Sequence, residues 1–175
     1  RGLQTVGAIV ENSLVGESYI KNLRKACDEL GLSLISEERI AQTAQDVSAA
    51  VKRVHAANPD ALVHCGFGFG VVLVNPVLKE LAWDPPRFMG TAFQNAWINE
   101  TMWRAIEGWI GLDQYDEGNE LCREFLDDYE KEYGRRPEYC VLPVNHDVGN
   151  VLVHAFANAH PLTPEGVRDA LETVK

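Results

Sequence analysis

Nowhere along the 175 residues does an apolar run approach the roughly 18 residues that a membrane-spanning helix requires. No membrane segment is expected. Basic residues are the minority: 16 Lys and Arg stand against 26 Asp and Glu, for a formal net charge of −10. A surface for nucleic acid or anionic lipid needs clustered Lys and Arg to displace counterions, and the pair Arg135 and Arg136 is too small to supply it. A nucleic-acid partner is therefore excluded from the expectations. The acids are spread over helical stretches, and the densest run, "DDYEKEY", reads as a solvated helix face.

Cysteine is sparse as well. Cys27, Cys65, Cys122 and Cys140 show no CxxC spacing, which argues against zinc and against a disulfide-stapled mini-protein. Cys27 lies on an apolar helix stripe and Cys65 at a strand end, so both read as buried free thiols. A Cys122 to Cys140 bridge is left open. The chain starts at Arg1 with no initiator Met, signal peptide or lipobox-like stretch, and reads as a mature product or a piece of a longer protein.

What is present is ordinary globular material, 46% hydrophobic and 24% charged, enough for one domain with a full core or for one domain plus part of another. "TVGAIV", "LSLISEERI", "DALVHC", "RFMGTA" and "GWIGLDQY" read as strands. Between them, Ile20, Leu23, Cys27 and Leu30 recur at helical spacing up to a stop at Gly31, and Val47, Val51 and Val54 mark a second helix face. "VVLVNPVLKELA" predicts a third helix, interrupted or started near Pro76, and "INETMWRAI" a short fourth. Five strands separated by helices imply an α/β fold, a parallel flavodoxin-like sheet covered on both faces. Beyond Tyr115 the strands stop. "GNELCREFLDDYEKEYG" carries Leu121, Phe125, Tyr129 and Tyr133 at helical spacing, "HDVGNVLVHAFANA" predicts a helix opened by Asp147 as its cap, and "TPEGVRDALETV" one with Thr163 as N-cap and Pro164 at the first position.

In an open parallel sheet, ligands sit outside the carboxyl ends of the strands where strand order reverses, here between the first and third strands. The loops at that edge offer Asn12, Ser13, Leu14 and Val15 after strand one, Phe67 and Phe69 after strand three, and Thr91, Ala92 and Phe93 after strand four, with Gln94 and Trp97 beyond. Such a pocket is aromatic and apolar, with a few neutral hydrogen-bonding groups. The third loop, "GFGFG", raises a dinucleotide alternative. A dinucleotide fingerprint needs GxGxxG on the first strand and an acidic residue about 20 positions later, whereas the spacing here is GxGxG on the third strand with Val at position 71. No Gly-Lys-Ser/Thr phosphate loop occurs. Simple relief of crowding at a strand-to-helix turn accounts for the glycines, though less well for the phenylalanines.

Catalytic arrangements do not assemble. His146 and Asp147 are adjacent, but Asp147 reads as a cap. His154 is eight residues from His146, too far for common chelation. His64 and Cys65 are strand neighbours and point to opposite faces. Ser13 has no GxSxG elbow. No enzyme, metal or cofactor is expected.

Three stretches carry a family likeness: "QDVSAAVKRVHAANPDALVHCG", "FLDDYEKEYGRRPEY", and "NHDVGNVLVHAFANA" followed by "VRDALE". In this order they resemble the type I periplasmic binding proteins of the leucine/isoleucine/valine-binding family, the solute-binding components of ABC importers. The resemblance implies two α/β lobes with a ligand trapped between them, residues 1–115 being the second lobe and 119–175 a helical return into a first lobe not in this chain. It implies a periplasmic or extracellular protein whose partners are a small-molecule ligand and a membrane permease. Val15 stands where amino-acid-binding members often carry an aromatic, and Phe67 or Phe69 near the family's aromatic after strand three. "GTAF" lacks the acidic residue that pairs with a ligand ammonium, which points to an apolar or aromatic carboxylate or an amide. Phe67, Phe69 and Phe93 would supply stacking, while Ser13, Thr91 and loop amides orient a polar end. The alternatives are a ligand-sensing regulatory or receptor domain of the same fold and, third, a nucleotide-dependent enzyme. The apolar face of "NVLVHAFANA" needs a cover, and a homodimer of the fragment would provide one.

Overall fold

Six of the seven residues of β1 (Thr5–Glu11) are buried, the signature of a parallel strand covered on both faces. The computed structural model describes residues 2–67, 70–90, 100–112, 116, 118–137 and 141–174. β1 pairs in parallel with β2 (Ser33–Ile40) and with β3 (Ala61–Cys65). The sheet continues through β4 (Arg87–Met89) and β5 (Trp109–Gly111), giving the order 2-1-3-4-5. This is the flavodoxin-like order, with its reversal between β1 and β3. The α/β expectation is met. Residues 91–92 and 113–115, expected as strand, lie outside the described residues.

Helices cover both faces of the sheet. On one face α1 (Leu14–Leu30) packs Ile20 against Ala8, Val10 and Cys65. On the other, α2 (Ser48–Ala56) and α3 (Gly70–Glu80) bring Val51, Val54, Val71 and Val74 onto Ile9, Leu62 and Met89, with Ile106 and Trp109 closing the layer. α1 ends where Gly31 turns left-handed at φ 68°, and Leu30, at the end of the expected stripe, is left exposed. Val47 is the N-cap of α2 and is buried with Val51 and Val54 as its spacing requires.

α3 departs from expectation because it runs unbroken through Pro76. Proline inside a helix forfeits one backbone bond, and here the neighbouring contacts outweigh it: Val74, Val77 and Leu78 are buried in the core. Asn75 reinforces the position. Its Nδ2 donates to the carbonyls of Ala105 (2.7 Å) and Glu107 (3.1 Å), and its Oδ1 accepts from Trp109 Nε1 (2.9 Å), tying α3 to the turn after α4 (Glu100–Ala105).

At the amino edge of the sheet Asp60 accepts from the backbone N–H groups of Gln4 (2.9 Å) and Thr5 (2.8 Å) and from the Thr5 hydroxyl. These donors, Gln4 first, hold its carboxyl below the usual range. β2 is an edge strand blunted by charge: Glu37 pairs with Arg24, Arg39 with Glu17, and Glu38 with Arg53.

Contacts divide the chain into two units, residues 1–113 and 114–175. The second contains α5 (Glu120–Tyr133), α6 (Val141–Asn158) and α7 (Pro164–Leu171). Asn119 caps α5 and Thr163 caps α7 with Pro164 behind it, the latter as read from sequence. α6 corrects an expectation. It begins five residues before His146, at Val141, so Asp147 lies inside the helix and is not its cap. Pro143 falls within the first turn, where a missing N–H is tolerated, so nothing stops the helix from starting upstream. Within this unit Phe125 stacks on His146 with ring centroids 4.7 Å apart, and Ala155, Ala159 and Ala170 form a small core. Leu121 and Tyr133, at the ends of the expected α5 stripe, are exposed, and Leu126 is the buried residue of that helix.

Candidate functional site

The carboxyl edge of the sheet is organised around Glu11, the last residue of β1 and fully buried. Its Oε2 accepts the backbone N–H of Phe67 at 3.0 Å, joining the loops that follow β1 and β3. Gly66 makes room for its side chain and Gly16 for its backbone carbonyl. A Cβ on Gly66 would stand 2.4 Å from Glu11 Cδ, and one on Gly16 would stand 2.1 Å from the Glu11 carbonyl oxygen. Neither position accepts a side chain without displacing what it touches. Crowding relief at a strand-to-helix turn is therefore the reason for the first glycine of "GFGFG", and the crowding group is an internal carboxyl. The Phe67 N–H is engaged by this carboxyl and is not offered to a phosphate.

The loop after β1 is held just as firmly. Asn12 N–H donates to the Ile40 carbonyl at 2.8 Å, and Ser13 N–H to the Glu11 carbonyl at 2.9 Å. Ser13 is the N-cap of α1, its Oγ accepting the Gly16 N–H at 3.0 Å. The Asn12, Ser13 and Gly16 N–H groups are engaged within the chain, and the side chains beside them face outward: Leu14 is 90% exposed, Val15 38% and Phe67 41%, and Asn12 is exposed as well. β1 and β3 pair at Val10 and Cys65, so these loops leave adjacent strands at the topological switch point. Of the residues expected in the site, Asn12, Ser13, Leu14, Val15 and Phe67 border this edge; Phe69, Thr91, Ala92 and Phe93 lie outside the described residues, as do Gln94 and Trp97.

Two residues here, Glu11 and Tyr19, carry no signal in the sequence. Glu11 extends β1 one residue beyond the expected strand "TVGAIV". Tyr19 shares a face of α1 with Val15, and its ring lies over Gly90 at the end of β4, 2.7 Å from where a Cβ would stand. His64 is buried edge-on to Trp109, with ring centroids 6.4 Å apart. Its Nε2 and the Glu11 Oε1 both lie within 4 Å of the place a Gly70 Cβ would occupy. Neither His64 nitrogen has a hydrogen-bond partner among the described residues. Burial pushes its pKa down to about 4.

Cys65 faces the opposite layer, as strand alternation requires, and burial pushes its thiol up to about 12. A neutral imidazole and a protonated thiol on opposite faces form no nucleophile and base pair. Cys27 is likewise buried and free, its thiol raised by burial. The Cys122 to Cys140 question lies outside the described residues. Among those described, no three His, Cys, Asp or Glu converge as a metal site, and no helix is long and apolar enough to cross a membrane.

A cleft of about 430 Å³ lies at the other end of the sheet, between the end of α3 and the start of β4. Two of its cations are engaged: Arg87 binds Asp84 and the Glu107 carbonyl, and Arg104 binds Glu100. It lies away from the switch point.

A parallel 2-1-3-4-5 sheet with exposed apolar loops at its switch point matches one family along its whole length. The family model described as "Periplasmic binding protein" matches residues 1–175. The chain belongs to the periplasmic binding protein family. Among solved structures, it is similar to a leucine binding protein of Thermotoga maritima MSB8, at 20% identity and TM-score 0.82, over 97% of this chain and 49% of that one. A fatty acid ABC transporter substrate-binding protein of Thermomonospora curvata matches at 17% identity and TM-score 0.79, over 97% and 46% of the respective chains. An extracellular ligand-binding receptor of Rhodopseudomonas palustris HaA2 matches at 25% identity and TM-score 0.76, over 99% and 53%. This periplasmic binding protein chain thus spans about half the length of the solved structures it matches. No curated protein matches it.

Proposed function

We propose that this chain is the second lobe (1–115) and a helical segment (119–175) of a two-lobed, extracytoplasmic solute-binding protein serving an ABC importer. The ligand is a small apolar or aromatic amino acid, carboxylate or amide, held between the lobes without chemistry and handed to a membrane permease. The observation that carries this reading is the exposure of the apolar side chains Leu14, Val15 and Phe67 at the switch point. An apolar wall with few polar groups is what a binding cleft for such a solute requires. Phe69, Thr91, Ala92 and Phe93 complete the wall in this proposal, and Ser13 orients the polar end by donating its hydroxyl proton. Ligand bridging the lobes biases a hinge toward the closed form that the permease recognises. The exposed apolar residues of α6, Val148, Leu152, Val153 and Phe156, are covered in the intact protein by the first lobe and in the isolated chain by a second copy. Sedimentation of the isolated chain as a concentration-independent monomer would overturn that pairing.

A thermal-shift panel on the full-length protein tests the functional reading, using leucine, phenylalanine, phenylacetate, octanoate, phenylacetamide and NAD. A ligand at 100 times its dissociation constant stabilises by roughly 2.7 kcal/mol, an easily read shift. A shift with an apolar or aromatic solute is expected; a shift with NAD alone contradicts the proposal. The name of the Rhodopseudomonas palustris relative supports a second reading, a receptor that senses the same solute. Permease-dependent uptake of the bound solute separates the two.

A further inference from the structure

Glu11 has a feature that ordinary packing does not require. A carboxyl group is fully buried at the end of β1, and Gly66, 55 residues along the chain, lacks a side chain where it lies: a Cβ there would stand 2.4 Å from Glu11 Cδ. Its Oε2 receives the Phe67 N–H, 56 residues along the chain, at 3.0 Å. Phe67 is thereby fixed by its backbone while its side chain remains 41% exposed at the edge.

We propose that Glu11 is a positioning residue: by accepting the Phe67 N–H it fixes the start of the loop after β3, so that this loop offers a ligand the Phe67 ring and receives its apolar end. The polar end is left to the loop after β1, where the Ser13 hydroxyl has a proton to donate. This rests on the reading that the carboxyl edge holds the ligand, and Glu11 itself touches none. The engaged amide is what sets the orientation, because a free N–H at Phe67 would draw a carboxylate or phosphate to this loop instead.

The test uses the full-length protein, with site-resolved amide hydrogen exchange and phenylacetate titration on the wild type, Glu11→Gln and Glu11→Met. In the wild type the Phe67 amide should exchange as slowly as the β1 amides, although its side chain is at the surface; exchange at the rate of an open loop overturns the proposal without any variant. Glu11→Gln keeps an acceptor oxygen and should leave Phe67 exchange and phenylacetate affinity within about threefold. Glu11→Met removes the acceptor and should speed Phe67 exchange at least about tenfold relative to Ile9 and Val10, and weaken phenylacetate about tenfold. Equal acceleration at all these amides, or unchanged Phe67 exchange, overturns the proposal. If wild-type protein binds neither phenylacetate nor any other panel solute, the functional reading fails, and the exchange data still decide whether Glu11 holds the loop.

Discussion

His64 is buried with neither ring nitrogen hydrogen-bonded among the described residues. Its pKa near 4 means the folded protein refuses a proton that the unfolded chain accepts near pH 6.5. Stability is therefore complete above about pH 6.5 and declines as pH falls toward 4, by up to roughly 3 kcal/mol. His64→Phe should flatten that slope. Urea midpoints measured from pH 7.5 to 4 check it, and parallel curves for the two proteins would contradict it. The glycines supply a second contrast. Gly16→Ala places a Cβ 2.1 Å from the Glu11 carbonyl oxygen and should cost about 1–3 kcal/mol. Gly149→Ala, in a helix with nothing within 4 Å of the new Cβ, should stabilise by about 0.5–1 kcal/mol. Sequence placed Asn12, Ser13, Leu14, Val15 and Phe67 at one edge because strand order alone dictates it. It left Glu11 unmarked because the Phe67 amide it binds lies in the loop after β3, 56 residues along the chain, which no local pattern carries.

Among the elements, those with strong local chemistry were readable and those decided by packing were not. β1 and β3 are short apolar runs, α1 ends at a left-handed glycine, and Thr163-Pro164 opens α7; each follows from the residues alone. α3 crosses Pro76 because contacts made through Asn75 and the buried valines outweigh one lost backbone bond, and those partners lie about 30 residues away. α6 was misjudged for a different reason: an Asp before an apolar run looks like a cap even when the helix has already begun. The distinction is measurable. Thr163→Ala should cost about 1 kcal/mol because it removes the acceptor for the Gly166 N–H. Asp147→Ala should change stability by less than about 0.5 kcal/mol. Urea unfolding followed by circular dichroism reads both, and a loss of about 1 kcal/mol at Asp147 would restore it as a cap.

For the molecule as a whole, the decisive property is the 2-1-3-4-5 strand order, because it puts the loops after β1 and β3 side by side where a ligand can bridge them. The glycine-rich stretch that suggested a phosphate loop opens on Gly66, which makes room for Glu11, and on Phe67, whose exposed side chain is apolar. In the proposed function, this edge takes an apolar or aromatic solute through Phe67. Calorimetric titration of the full-length wild type and Phe67→Ala with phenylacetate, leucine and NAD tests it most directly. Phe67 is only half-buried, so its truncation should leave the melting temperature nearly unchanged while weakening the bound organic solute about tenfold or more. Equal affinity in the two proteins, or heat from NAD alone, would contradict the account.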